Sequence, residues 1–199
     1  MRKGKTFIIT GPSGVGKGTI INKLFEGRDD LYFSVSATTR APRPGEVDGV
    51  HYHFLSREQF QQWIAQGEFL EHAEFVDNCY GTPKKFVDQA MAEGKDVILD
   101  IEVQGAEQIH ALRPEVIRIF IAPPSWEELE RRLVGRATED AEKVGKRLAR
   151  SRVEFPIAKE FNYIVVNHTI EQAVGEIKAI MAAEHCRAGD CYDELFANL

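Results

Sequence analysis

The stretch Phe7–Phe25, which reads FIITGPSGVGKGTIINKLF, decides the fold of this 199-residue chain. It begins with an apolar run that is too short for a helix and rich in β-branched residues, which predicts a buried strand. It ends with apolar residues at helical spacing, from Ile20 to Phe25, which predict an amphipathic helix. The glycines between them allow positive φ, so successive N–H groups can surround a phosphate at the helix N-terminus. The stretch therefore predicts a phosphate-binding loop, against the alternative of a glycine-rich turn without a ligand.

The loop also carries side chains suited to a nucleoside triphosphate. Lys17 would place a positive charge on the β- and γ-phosphates. A Ser or Thr usually follows this lysine and coordinates Mg²⁺, but here Gly18 takes that place and the hydroxyl comes one residue later, on Thr19. The GKGT ending resembles the loops of adenylate kinases, so we expect Thr19 to be the hydroxyl nearest the metal. The residues expected to bind ATP in this loop are Gly11, Ser13, Gly14, Val15, Gly16, Lys17, Gly18 and Thr19.

Composition limits the classes of function. The net charge of -6 argues against general binding to nucleic acid or to an anionic membrane. No run approaches the length of a membrane span, and the N-terminus leads straight into the first strand, so we expect a cytoplasmic protein. The stretch from Leu129 to Arg152 carries eight basic and four acidic residues. A positive segment in an acidic protein indicates a local anionic ligand, with a solvated pair of helices as the alternative.

The three cysteines, Cys79, Cys186 and Cys191, are an odd number without a framework spacing, which is typical of reduced thiols. The segment from His185 to Cys191 offers only three soft ligands and no second pair elsewhere. We therefore interpret it as a plain tail and not as a metal or redox site.

Strand and helix patterns alternate along the chain, which predicts an α/β fold. Five apolar runs read as parallel strands, covered by helices on both faces. The run that ends at Asp100 would deliver a carboxylate to the carboxyl edge of the sheet, where ligands bind. The stretch 36–85 reads instead as a small α+β insertion.

Within that insertion the local patterns give four expectations. The prolines and glycine of Ser36–Glu46 predict a loop without regular structure. Val50–Leu55 reads as a strand, Asp77–Gly81 as a turn, and Pro83 as part of the first turn of the next helix.

The same region carries a family resemblance. Thr38–Leu55, TTRAPRPGEVDGVHYHFL, resembles the guanylate kinase signature: Thr, Ser or Thr, Arg, a basic residue, an acid, Gly, then Tyr-x-Phe or Tyr-x-Tyr. The presence of a phosphate loop upstream makes this resemblance more specific. Further matching segments extend the resemblance to about Cys186.

The resemblance implies Mg²⁺-dependent, reversible transfer of the γ-phosphoryl group of ATP to GMP, and to dGMP, giving ADP and GDP. It assigns the GMP phosphate to Arg40 and Arg43 with Tyr52 and Tyr80. It assigns the guanine base to the Glu71 carboxylate and the hydroxyls of Ser36 and Thr82. The residues expected to bind GMP are Ser36, Arg40, Arg43, Tyr52, Glu71, Tyr80, Thr82 and Asp100.

The resemblance also implies a catalytic set and a domain plan. Lys17, Arg132, Arg136 and Arg147 would surround the transferring group, Thr19 and Asp100 would hold Mg²⁺ partly through water, and Asn167 would contact adenine. The expected division is a core P-loop domain formed by 1–35, 86–128 and 153–199, a GMP-binding domain 36–85 and a lid 129–152.

Two other functions fit parts of the pattern. One is a non-catalytic guanylate-kinase-like interaction module, and the other is a kinase for a different nucleoside monophosphate, suggested only by the GKGT ending. The oligomeric state is left open between monomer and homodimer.

Overall fold

The structure is a computed structural model, and it describes residues 3–75, 77–135 and 141–196. The strands in this part of the chain are β1 Thr6–Thr10, β2 Leu31–Phe33, β3 Ala37–Thr38, β4 His53–Phe54, β5 Phe69–Phe75, β6 Asn78–Pro83, β7 Asp96–Asp100, β8 Ile117–Ala122 and β9 Tyr163–Val166. The α-helices are α1 Lys17–Phe25, α2 Arg57–Ala65, α3 Lys84–Ala92, α4 Val103–Leu112, α5 Trp126–Val134, α6 Ala141–Glu154, α7 Ile170–Glu184 and α8 Ala188–Phe196, with a 3-10 helix at Phe155–Glu160.

A five-stranded sheet in the order β2-β7-β1-β8-β9 confirms the predicted α/β fold with a parallel sheet. Strand pairs β1–β7, β2–β7 and β8–β9 are parallel, with Phe7 opposite Ile98 and Phe120 opposite Ile164. Every residue of β1 is buried, as its continuous apolar run predicts.

Contacts divide the chain into two compact units. Unit 1 comprises Lys3–Ile9 and Asp30–Arg118, and unit 2 comprises Thr10–Asp29 and the chain from Ile119 onward. The domain plan implied by the resemblance remains a prediction.

Unit 1 contains a second, four-stranded sheet in the order β4-β3-β6-β5. Beneath it lies a small core of Ala37, Phe60, Phe69 and Cys79. Helix α2 begins with a capping box: the Ser56 hydroxyl accepts from the N–H of Gln59, whose side chain accepts from the N–H of Ser56.

Pairing in this second sheet corrects three local expectations. The region predicted to be irregular contains β3, because Ala37 and Thr38 pair with both β4 and β6. The strand predicted at Val50–Leu55 is reduced to His53–Phe54, with an isolated bridge between Asp48 and Tyr52. The predicted turn at Asp77–Gly81 is mostly strand: only Asp77 keeps turn geometry, at φ 60°, and β6 starts at the next residue.

The fourth expectation shifts by one position. Pro83 ends β6 and serves as the N-cap of α3, immediately before the first helical turn.

In unit 2 the buried rings of Phe120 and Phe161 meet edge to face, with their centroids 5.7 Å apart. Ser125 caps α5 by accepting a hydrogen bond from the N–H of Glu128. After α7 the chain forms one more helix, α8, which periodicity alone did not indicate. Across both units, none of the described helices combines the length and apolar character required to span a membrane.

Candidate active site

The phosphate loop of unit 2 has positive φ angles at three of its glycines, a backbone conformation that glycine adopts readily. Gly11, Gly14 and Gly16 have φ values of 148°, 88° and 97°. A Cβ on Gly11 would overlap the carbonyl of Ile121, so close approach as well as conformation requires glycine there. Gly16 is also the N-cap of α1, which places the loop at a helix N-terminus.

Each of three loop carbonyls accepts a hydrogen bond. Lys17 Nζ donates to the Gly11 carbonyl at 3.0 Å, and the Val15 N–H donates to the Pro12 carbonyl at 3.3 Å. The Val15 carbonyl accepts from Nδ2 of Asn167 at 2.7 Å. The residue expected to contact adenine is thus bonded to the loop.

Gly18 and Thr19 lie in the exposed first turn of α1. A Cβ on Gly18 would meet open space, so nothing in the packing requires glycine there. The exposed Thr19 hydroxyl is the one that follows the lysine, as the sequence indicated.

Two of the expected catalytic arginines lie against the loop. Nη1 of Arg132 is 3.4 Å from the Val15 carbonyl, and Nη2 is 3.1 Å from the backbone carbonyl of Asn167. Nη1 of Arg147, on α6, donates to Oγ of Ser13 at 3.0 Å. Arg136 lies outside the described residues.

Glu128 holds Arg132 in this position and was not anticipated as a site residue. Its Oε1 accepts from Nε of Arg132 at 2.7 Å, and it also binds Arg131. The hydrogen bonds from Arg131, and after them the one from Arg132, lower the pKa of the Glu128 carboxyl to about 2. The i, i+4 spacing of Glu128 and Arg132 was a readable signal.

Unit 1 assembles three of the four residues expected to bind the GMP phosphate. The Arg40 guanidinium lies over the Tyr52 ring, 5.3 Å from its centroid, and the Tyr52 and Tyr80 rings meet edge to face at 6.1 Å. The fourth, Arg43, is exposed.

Glu46 organises this corner, although sequence reasoning gave it no role. Its carboxylate accepts from Nη2 of Arg40 at 2.8 Å and from the Arg43 N–H at 2.7 Å. These hydrogen bonds, the one from Arg40 first, lower the pKa of Glu46 to about 2, and the bond to Glu46 raises the pKa of Arg40. The signal was present, because Glu46 is the acid of the signature.

The residues expected to bind guanine converge between β5, β6 and β3. Glu71 and Thr82 are register partners, and the Thr82 hydroxyl donates to Glu71 Oε1 at 2.7 Å. Both side chains are buried, and burial raises the pKa of Glu71 despite the bond from Thr82. Ser36 directly precedes β3, and because Ala37 pairs with Gly81 of β6, continuing this antiparallel register places Ser36 next to Thr82.

Gly105, in the first turn of α4, lies against Glu71. A Cβ there would be 3.0 Å from Oε2 of Glu71 and 3.3 Å from its Cδ. Sequence reasoning assigned Gly105 no role. A glycine inside a helical pattern was the available signal.

Asp100 is the exposed last residue of β7 and pairs in register with Ile9. The strand therefore delivers the carboxylate to the carboxyl edge, as its sequence position predicts. Its roles toward GMP and metal remain predictions.

Comparison with known proteins places this geometry among its relatives. The family model described as "Guanylate kinase" matches residues 3–184. The chain is 49% identical over 197 residues to a guanylate kinase of Clostridium perfringens, covering 99% of this chain and 89% of that one. It is 50% identical to one of Halalkalibacterium halodurans, covering 93% and 91%. The crystal structure of guanylate kinase from Anaplasma phagocytophilum superposes with a TM-score of 0.74 at 33% identity, covering 98% and 96%.

Proposed function

The chain belongs to the guanylate kinase family of enzymes, and from that premise we propose that it transfers the γ-phosphoryl group of ATP to GMP, reversibly and with Mg²⁺. The products are ADP and GDP, and dGMP is proposed as a second acceptor. The observation that carries the proposal is the buried Glu71 carboxylate beside Thr82.

Glu71 is suited to select guanine. As a carboxylate it accepts hydrogen bonds from guanine N1–H and from the exocyclic amine. Adenine has a lone pair at N1, so AMP would leave the buried carboxylate facing an acceptor. Leaving a buried charged acceptor unpaired costs about 2–4 kcal/mol, which favours GMP strongly over AMP. Ser36 and Thr82 would address the remaining polar atoms of the base.

The Arg40 corner is suited to the acceptor phosphate. Arg40 and Arg43 would provide guanidinium groups, while Tyr52 and Tyr80 would donate hydroxyl hydrogens. Glu46 supports this role because it holds Arg40 in one orientation before the anion arrives. Phosphoryl transfer depends mostly on such positioning, and an acceptor phosphate that is already a dianion needs no general base.

The unit 2 loop is suited to the donor. Its N–H groups, together with Lys17, would bind the polyphosphate, and Arg132, Arg136 and Arg147 would neutralise charge on the transferring group. Arg147 already lies at the loop through Ser13. The proposed division into core, GMP-binding domain and lid follows these roles.

Mg²⁺ fits the oxygen donors at these positions. Thr19 offers an exposed hydroxyl after the loop, and Asp100 offers an exposed carboxylate at a strand end. Mg²⁺ prefers such oxygen ligands and keeps several waters. When bound it would neutralise charge on the phosphate oxygens during transfer.

A coupled assay of ADP release tests the proposal, with GMP, dGMP, AMP, CMP and UMP offered separately. We expect turnover with GMP and dGMP only. Equal or faster turnover of another monophosphate would favour the alternative kinase. Binding of GMP without ADP release would favour the interaction module.

We also propose a cytoplasmic location, where ATP and nucleoside monophosphates are available.

A further inference from the structure

The side chain of Asn167 is built into the phosphate loop. It is 3% exposed, and its Nδ2 donates to the Val15 carbonyl at 2.7 Å. Its backbone is held as well: its N–H donates to the Ala122 carbonyl at 2.8 Å, and its carbonyl accepts from Nη2 of Arg132. Asn167 is therefore a rigid donor at the end of β9.

A loop that directs its N–H groups at an anion must turn carbonyls away from it, and these carbonyls need donors of their own. The Gly11 carbonyl has Lys17 and the Pro12 carbonyl has the Val15 N–H. The Val15 carbonyl has Asn167, with Nη1 of Arg132 at the longer distance of 3.4 Å.

Anchoring the Val15 carbonyl also sets the direction of the next N–H. The peptide bond is planar and trans, so the carbonyl of Val15 and the N–H of Gly16 point to opposite sides. When Asn167 holds the carbonyl on one side, the Gly16 N–H is held on the other. The amide thereby controls one donor of the phosphate loop.

The Nδ2 group of Asn167 also lies against the backbone of the phosphate loop. A Cβ on Gly16 would lie 2.8 Å from Nδ2 of Asn167, so the amide is in close contact with the Gly16 backbone. Gly16 has a φ of 97°, which glycine adopts without strain. The positive φ and the missing side chain together allow Asn167 to reach Val15.

We propose that Asn167 is a positioning residue of the phosphate loop and acts on the triphosphate through the Val15–Gly16 peptide, not through the adenine base. This proposal rests on the proposed function only because it assumes that the loop binds a nucleoside triphosphate.

Asn167→Asp tests the proposal because it keeps the shape of the side chain and removes the donor. Asn167→Ala is the second variant, in case the carboxylate prevents folding. Asn22→Asp, on the exposed face of α1, is the matched control for added negative charge in unit 2. Equilibrium binding is measured for ATP and for inosine triphosphate, which carries the same triphosphate on a base that differs from adenine at its 6-position.

We expect both Asn167 variants to weaken ATP and inosine triphosphate by the same factor, about tenfold, the typical effect of losing one buried hydrogen bond. Asn22→Asp should bind both ligands as the unmodified chain does. The affinity for GMP and the melting temperature serve as controls for folding.

A loss confined to ATP would show a contact with adenine and overturn the proposal. Unchanged affinity for both ligands would overturn it too. These outcomes are independent of whether the unmodified chain phosphorylates GMP, so failure of the proposed function would be recognised separately.

Discussion

Replacing Gly105 by Ala tests whether the space beside the Glu71 carboxylate is needed for guanine binding. Gly105 lies in the first turn of α4, where alanine is the better helix former by up to about 1 kcal/mol. By helix propensity alone the substitution should stabilise the protein. Its side chain, however, would place Cβ 3.0 Å from Oε2 of Glu71.

The magnitude follows from how firmly Glu71 is held. The carboxylate must move by a few tenths of an ångström, yet it is buried and bonded to Thr82 at 2.7 Å. Hydrogen bonds to a charged group contribute about 1.5–3 kcal/mol each, so a small displacement that weakens the bonds to the base without breaking them should cost about 1.4 kcal/mol, close to the value of one such bond. That corresponds to a rise of about tenfold in the KM for GMP.

Steady-state kinetics with GMP and ATP varied in turn, together with thermal melting, measure the effect. We expect the KM for ATP to be unchanged. Gly175→Ala is the matched control, because Gly175 lies in a helix with nothing within 4 Å of an added Cβ. A normal KM for GMP in Gly105→Ala, with the same gain in melting temperature as the control, would refute the reasoning.

The remaining predictions concern charge and phosphate binding. Burial raises the pKa of Glu71 in the folded state above its value in the unfolded state. The stability that protonated Glu71 contributes is therefore full below the unfolded-state pKa and is lost as pH rises through the folded-state pKa. The melting temperature of Glu71→Gln should accordingly rise relative to that of the unmodified chain as pH increases. The KM of the unmodified enzyme for GMP should rise on acidification through that same raised pKa, as initial rates across pH would show. Glu46→Gln should raise the KM for GMP several-fold by releasing Arg40, and acid titration by NMR should place the Glu46 pKa at about 2; a value near 4 would contradict this contact. Lys17→Ala should abolish turnover but leave GMP binding, measured by calorimetry, intact. Thr19→Val should raise the Mg²⁺ concentration needed for half-maximal rate, whereas the control Gly18→Ala should not. The same Mg²⁺ dependence in both variants would show that Thr19 does not bind the metal.

Some features of the fold could be predicted because their determinants are local. The strand, glycine loop and helix of Phe7–Phe25 follow one another within a few residues, and hydrophobic periodicity identifies each. Ser56 and Ser125 start their helices through hydrogen bonds that span three residues.

Other features depended on partners distant in the chain. Local turn residues around Asp77 and Gly81 predicted a turn, but pairing with β5 and β3 makes most of that segment a strand. Pairing of Ala37 with β4 and β6 likewise formed a strand where prolines nearby predicted none.

The sequence by itself determined the α/β class and the phosphate loop, because hydrophobic periodicity and closely spaced glycines express both. The residues proposed to bind GMP followed from the family resemblance that Thr38–Leu55 carries. Only the tertiary structure decided that Asn167 bonds to Val15, across 152 positions of sequence, and that α4 brings Gly105 against Glu71. Contacts between distant segments depend on how strands and helices pack together, and no local sequence pattern specifies that packing.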